Sequence, residues 1–225
     1  MKSMKISDKI SVIFFLSLAF WLCPFLALAH QPRLVQGGEV TLVQNPEISQ
    51  AFYGELLGQA QVFEIDANGD FNLAVSLLVP QVESARKDLA VEIYRSLESD
   101  LALIAALDGP RYDWSEFYEP FGGNNYWQGP AMKEKVVAGK YVIRVFSPSN
   151  LGKYVLVFGE QENFSLSEIV RTVFFLPQLK ADFFDRSAWT AYFNYAGLFL
   201  LALILVLAGL IYLVMKLVKK KRSDF

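Results

Sequence analysis

Residues 139–158, GKYVIRVFSPSNLGKYVLVF, contain two runs of alternating side chains on either side of a turn sequence. Side chains point to opposite faces along a β-strand, so strict alternation predicts a strand with one buried face. The apolar residues that share one face of the first run are Tyr141, Ile143 and Val145. The stretch 147–152 between the runs is rich in Ser, Pro, Asn and Gly, which favour turns. We therefore predict a β-hairpin here.

The same β pattern continues back along the chain to Gly38. Further strands are predicted at 40–43, 52–56, 62–65, 71–79 and 89–94. Residues 66–70, DANGD, predict a tight hairpin turn, because Asn-Gly readily adopts positive φ angles. The apolar, alanine-rich stretch 101–107 fits a strand or a short helix equally well. The fold class we predict is mainly β: a jelly-roll-like antiparallel β-sandwich over residues 30–160.

The stretch 109–130 is crowded with aromatic residues among glycines and prolines, and no strand or helix period runs through it. We predict an aromatic-rich loop, and loops of this length are often functional. The candidate contact residues are Tyr112, Trp114, Phe117, Tyr118, Tyr126 and Trp127. Such rings suit a sugar platform or an anchor in a protein contact. The alternative is that they fold back to cap an open end of the sandwich.

The sequence AGKYVIRVFSPSNLGKYVLVFG, residues 138–159, resembles the closing hairpin of bacterial pre-peptidase C-terminal-type domains. The sequence QVFEIDANGDFNLAVSLLV, residues 61–79, is similar to the earlier strand pair of that family. The resemblance covers residues 50–160 and implies a small jelly-roll sandwich, but residues 108–132 depart from it. The whole chain also looks like bacterial single-pass membrane proteins, a likeness that implies no activity.

Beyond Gly159 the pattern becomes helical, and residues 161–190 predict an amphipathic helical stalk. Ser165 and Glu168 form a capping box, in which each side chain satisfies a free backbone amide at the helix start. Pro177 is predicted to end this helix. The stalk is expected to lie either on the bilayer surface or, as we favour, on the sandwich.

Residues 196–215, AGLFLLALILVLAGLIYLVM, contain no charge and no proline. Twenty helical residues match the roughly 30 Å hydrocarbon core of a bilayer. We predict a transmembrane helix over 191–215, with the bilayer as partner through Ala196 to Met215. A basic tail, 216–225, follows the span, and basic residues concentrate on the cytoplasmic side of membranes.

The N-terminus has the pattern of a secretory signal peptide over residues 1–29. Three lysines precede an apolar segment, and Ala27-Leu28-Ala29 fits a cleavage site. The alternative is an uncleaved first membrane helix from Ile10 to about Ala29, against which Pro24 and the small residues at the cleavage site argue. The predicted protein is therefore a type I single-pass protein of the plasma membrane, with its N-terminal domain outside and its C-terminus in the cytoplasm.

Composition excludes several classes of chemistry. The chain has one Cys and one His, and Cys23 lies in the predicted signal. A Cys–His catalytic pair and a cysteine zinc site are then excluded from the mature chain, and we predict no enzyme. Residues 30–186 hold 21 acidic and 13 basic residues, a net charge of −8. This acidity argues against a nucleic-acid partner.

Two metal hypotheses come from individual residues. Cleavage after Ala29 would leave His30 with an α-amine and an imidazole, a pair suited to Cu²⁺, although such sites normally need a second His. Asp66, Asn68 and Asp70 offer oxygen ligands at alternate positions, as in part of a calcium loop, but the distal acidic ligand is missing. A turn explains these three residues without an ion, and we expect no cofactor.

The function predicted from the sequence is a membrane-anchored extracytoplasmic binding module. Its partner would be another envelope protein or a glycan, contacted through the aromatic stretch. The alternatives are an accessory subunit of a membrane complex, in which stalk and span make the contacts, and a copper-handling protein that uses His30.

Overall fold

Two β-sheets face each other in the computed structural model, which describes residues 30–163 and 165–223. The eleven strands are β1 Gln31–Leu34, β2 Thr41–Leu42, β3 Gln50–Leu57, β4 Gln61–Ala67, β5 Phe71–Pro80, β6 Ala90–Ser96, β7 Leu101–Asp108, β8 Ser115–Glu119, β9 Asn124–Val136, β10 Gly139–Phe146 and β11 Leu151–Phe158. One sheet has the order β1-β3-β11-β5-β9-β8, and the other has the order β2-β4-β10-β6-β7. The predicted sandwich is confirmed. The predicted signal peptide lies outside the described residues.

The sandwich is not wholly antiparallel. β1 runs parallel to β3, and β2 runs parallel to β4. A tight hairpin turn forces an antiparallel pair, whereas the longer connections from β1 to β3 and from β2 to β4 allow the same direction. Two strand pairs, one at an edge of each sheet, are therefore parallel within a sandwich whose other strand pairs are antiparallel.

The two strands of the quoted stretch lie in different sheets. β10 pairs with β4 and β6, whereas β11 pairs with β3 and β5. The predicted hairpin is thus an arch that crosses from one sheet to the other. The DANGD turn at 66–70 makes a second arch, because it joins β4 to β5. Alternation predicts that a segment is a strand, but it does not name the strand's partner.

The space between the sheets is filled by large apolar side chains. Phe52 meets Phe63 and Phe158 edge to face, with ring centroids 5.5 Å apart in both pairs. Other residues with no exposed surface in this core include Leu73, Val91, Ile143 and Leu156. Full burial of one such side chain contributes about 1.5–3 kcal/mol, so this layer is the main source of stability.

A helix, α1 Leu166–Asp182, packs on the outer face of the six-stranded sheet. The Ser165 side chain accepts a hydrogen bond from the Glu168 amide, as the capping box predicts. Arg33 of β1 forms a two-pronged ion pair with Glu168, at 2.9 and 3.1 Å. Pro177 does not end the helix, contrary to the prediction. Leu179 is buried beyond it, and this packing offsets the cost of an internal proline.

A second helix, α2 Tyr195–Ser223, follows a short 3₁₀ helix at Ala188–Tyr192. Its segment Tyr195–Lys216 contains an 18-residue window with a mean hydropathy of 3.0 and is long and apolar enough to cross a membrane. The helix continues past the predicted span into the basic tail, because Lys and Arg are good helix formers.

We predict that Gly54→Ala destabilises the sandwich by about 1–3 kcal/mol through overpacking. Gly54 of β3 lies opposite Tyr154 of β11, and a Cβ atom there would overlap the phenol ring. The matched control is Gly69→Ala, where an added Cβ meets nothing within 4 Å. Denaturant unfolding of the detergent-solubilised protein measures both changes. Equal effects of the two substitutions would contradict the expected packing role of Gly54.

Candidate functional site

The aromatic stretch 109–130 is not a loop, in contrast to the prediction. After a 3₁₀ turn at Gly109–Arg111 it forms the hairpin of β8 and β9. Its rings alternate between the two faces of this hairpin, which hid their period from the sequence pattern. The six candidate contact residues are consequently divided among three places in the fold.

Trp114 and Trp127 pack against the core between the sheets. The Trp114 indole donates a 2.8 Å hydrogen bond to the Gly109 carbonyl. The Trp114 ring occupies the space that a side chain at position 129 would need, and glycine at this position leaves that space free. The Lys87 ammonium lies 3.2 Å from the Trp127 ring centroid and covers that ring. These two rings act as parts of the core.

Phe117 and Tyr126 lie on the opposite face of the hairpin, towards α1. Tyr126 is buried, and its hydroxyl is 3.1 Å from the hydroxyl of Tyr53. Its ring meets Phe184 edge to face, with 5.4 Å between the centroids. Burial raises the pKa of the Tyr126 phenol. This pair therefore holds the helix on the sheet.

Tyr112 and Tyr118 are the two candidates that remain exposed to solvent. Tyr112 stands against Trp114 edge to face at 6.4 Å, whereas Tyr118 lies on the edge strand β8. The six residues thus do not form one aromatic platform. A contact role stays a prediction for these two tyrosines.

The residues of the metal hypotheses are engaged with protein groups. Asp66 lies 3.5 Å from the Lys140 ammonium, and Asp70 accepts a 3.0 Å hydrogen bond from the Ala138 amide. Asn68 lies at the tip of the same turn. The His30 ring is hydrogen-bonded to the Ser49 hydroxyl. Over residues 30–163 and 165–223, no three His, Cys, Asp or Glu side chains are grouped to hold a metal ion.

A groove of about 480 Å³ lies between β1 and the start of α1. Its walls carry several amide side chains, which would suit a polar ligand. The buried Gln50 amide, however, donates to the carbonyls of Gln44 and Asn45, and Arg33 is paired with Glu168. These groups are used within the protein, so the groove offers few free polar contacts.

The feature that the sequence analysis missed is the edge strand β7. Within the described chain it pairs with β6 on one side, and its other side ends the five-stranded sheet. Its exposed apolar residues are Leu101, Leu103 and Ile104, and Leu97 lies exposed in the preceding turn. A long apolar edge is a template for pairing with another chain, and proteins usually protect such edges with charges or proline. β7 has neither from Leu101 to Leu107.

Acidic residues flank this apolar edge. Asp100 precedes β7, and Asp108 ends it, with Glu98 in the adjoining turn. Arg111 lies 3.6 Å from Asp108 in a solvent-exposed pair. The edge therefore presents an apolar centre between two acidic ends. The sequence signal was present in the uncharged run 101–107, but its period was ambiguous between strand and helix.

The turn between β8 and β9, residues 120–123, contacts both helices. The Asn194 side chain donates to the Gly122 carbonyl at 2.7 Å, and the Ala196 amide donates to the Phe121 carbonyl at 3.1 Å. Ala196 is the second residue of α2, so the sandwich is bonded directly to the start of the apolar helix. We call this contact the junction.

A buried lysine completes the junction. The Lys180 ammonium of α1 donates to the Gly123 carbonyl at 3.0 Å and to the Asn124 side-chain oxygen at 2.5 Å. Glu119 lies nearby and accepts hydrogen bonds from two amides of the turn. Burial raises the pKa of Glu119, and burial lowers the pKa of Lys180 to about 8. Both shifts arise because a charge is costly away from water.

We predict that stability rises with pH between about 8 and 10.5, the folded and ordinary pKa values of Lys180. In this window the unfolded chain binds the proton that the folded chain has lost, so raising the pH favours folding. Lys180→Met should remove this rise. The measurement is the melting temperature of both proteins against pH in detergent. The buried tyrosines titrate in both proteins and cancel in the difference, and parallel curves would contradict the expectation.

No protein-family model matches the sequence, and the comparison with curated proteins gives no match either. Among solved structures, the pre-peptidase C-terminal domain of a collagenase from Bacillus anthracis aligns with 55% of this chain and 97% of that chain, at 12% identity and a TM-score of 0.34. A surface-associated copper-binding protein from Methylomicrobium album BG8 aligns with 57% of this chain and 82% of that chain, at 12% identity and a TM-score of 0.20. The resemblance to pre-peptidase C-terminal domains is confirmed to this extent, and it concerns the fold alone.

Proposed function

We propose that the protein is a membrane-anchored interaction module that binds an extended segment of a partner protein along β7. The observation that carries the proposal is the free apolar edge of this strand. A partner strand added there would satisfy the unpaired backbone groups of β7, while its side chains would cover the exposed leucines.

The chemistry of the edge indicates which partner it fits. An apolar strand with basic residues at its ends would match the acidic ends of β7. A second copy fits less well, because antiparallel pairing of two β7 strands places Asp108 of one copy near Asp100 of the other. Like charges opposite each other destabilise a strand pair. The division of the six aromatic residues also favours a protein partner over a glycan.

The membrane placement is part of the same proposal. We infer that α2 spans the bilayer through residues 196–215, with the sandwich outside and the C-terminus in the cytoplasm. The apolar length of α2 supports a span, and the lysines that follow it support the orientation. The N-terminal signal pattern points in the same direction.

A second function, an accessory subunit of a membrane complex, is favoured by the junction. Because the 120–123 turn is bonded to Asn194 and Ala196, a neighbour that contacts α2 would also position the sandwich. The copper hypothesis gains no such support, since the chain contains a single His.

We predict that Leu103→Lys weakens binding to an edge-pairing peptide by about tenfold, since it places a charge in the apolar contact. The probe is a fluorescent peptide of about nine residues, with alternating valine and threonine between terminal lysines. Fluorescence anisotropy with the full chain in nanodiscs measures the affinity. The control is Leu57→Lys, because Leu57 is 70% exposed but lies in the six-stranded sheet, away from β7.

Two further peptides test the edge chemistry. Replacing the terminal lysines by glutamate should weaken binding at the acidic ends of β7. A central proline should abolish pairing, because it removes a backbone donor. Equal binding of all three peptides, or equal loss with Leu57→Lys, would overturn the assignment of β7.

A further inference from the structure

The face of α1 that points away from the sandwich carries two large apolar side chains. Phe174 is 77% exposed and Val170 is 56% exposed. They are four residues apart and therefore lie on the same stripe of the helix. Phe175, Leu176 and Leu179 already supply the helix's contacts with its neighbours. The exposed pair is thus left without a partner within the described chain.

A contact between α1 and the start of α2 indicates where this stripe lies relative to the apolar helix. Leu176 of α1 packs with Ala191 and Ala196, and Ala196 belongs to the first turn of α2. Phe174 precedes Leu176 by two residues, about 3 Å along a helix axis. Phe174 therefore lies within one helical turn of the residue of α1 that packs at the start of α2.

Two more exposed rings lie shortly before the start of α2 in the chain. Trp189 is 75% exposed and Phe193 is 84% exposed, and both stand in the short segment between α1 and α2. Exposed cations, Arg171 on α1 and Arg186 after it, accompany them. Aromatic rings with neighbouring cations are the usual composition of a protein surface at the lipid headgroup level.

We propose that α1 lies between the sandwich and the lipid bilayer, with Val170 and Phe174 inserted into the headgroup region beside Trp189 and Phe193. The partner of this surface is the bilayer itself, because the surface continues directly into the apolar helix. The inference rests on the proposed membrane span of α2. It adds that the six-stranded sheet faces the membrane and that α1 separates the two.

The test uses a fluorophore attached at single cysteines of the full chain. The chain's one cysteine, Cys23, is replaced by serine, and the environment-sensitive label NBD is attached to Phe174→Cys. The matched controls are Lys140→Cys, exposed on the outer face of the five-stranded sheet, and Leu203→Cys within α2. The proteins are reconstituted in vesicles of equal parts phosphatidylcholine and phosphatidylglycerol, with or without doxyl-labelled lipid as quencher.

The expected result is strong lipid quenching at position 203, none at position 140 and clear quenching at position 174, with the strongest effect from a doxyl group near the lipid headgroup. Quenching at 203 with none at 174 would overturn the inference and leave the span intact. Another outcome is a blue shift in the emission of the label at position 174 that grows with protein density, without quenching by lipid. That result would overturn the inference and indicate contact with a second copy of the chain. No quenching at 203 would overturn the span and the inference together.

Discussion

The structure depends on burial of the six-stranded sheet on both of its faces. One face meets the other sheet, and the opposite face is covered by α1 and the two phenylalanines after it. Without this cover Tyr53, Val155 and Val157 would be exposed to water. The helix is therefore an integral layer of the domain rather than a separate stalk. The ion pair between Arg33 and Glu168 and the hydrogen bonds of Lys153 to the Phe183 carbonyl and Asp185 hold its two ends.

The buried lysine shows how polar groups are accommodated in this layered arrangement. Lys180 has lost nearly all contact with water, but its ammonium donates to two oxygen atoms. One is the Gly123 carbonyl in the β8–β9 turn, and the other is the side-chain oxygen of Asn124. An apolar residue could fill the same space, but it would leave those oxygens without donors. The hydrogen bonds of the lysine therefore favour one position of the turn against α1. A purely apolar contact, which is not directional, would define that position less well.

Local patterns predicted the elements better than their partners. Alternation and turn residues located the strands, and the capping residues located the start of α1. The arches were not predictable, because the sequences of 66–70 and 147–152 suit a reversal within one sheet as well as a crossing between sheets. The 109–130 sequence predicts a loop because its rings lie on both faces of a hairpin and show no period. Pro177 predicts a helix end because local rules do not include the tertiary packing that outweighs its cost.

The orientation of the edge strand β7 is linked to that of α2. The link consists of the 3₁₀ turn at Gly109–Arg111, β8 and the junction. The β8–β9 hairpin follows β7 through the 3₁₀ turn, and its 120–123 turn accepts hydrogen bonds from Asn194 and Ala196 at the start of α2. If α2 spans the bilayer as proposed, these hydrogen bonds would limit how far the domain turns relative to α2. A protein bound to β7 would then keep a narrow range of orientations relative to the proposed membrane span.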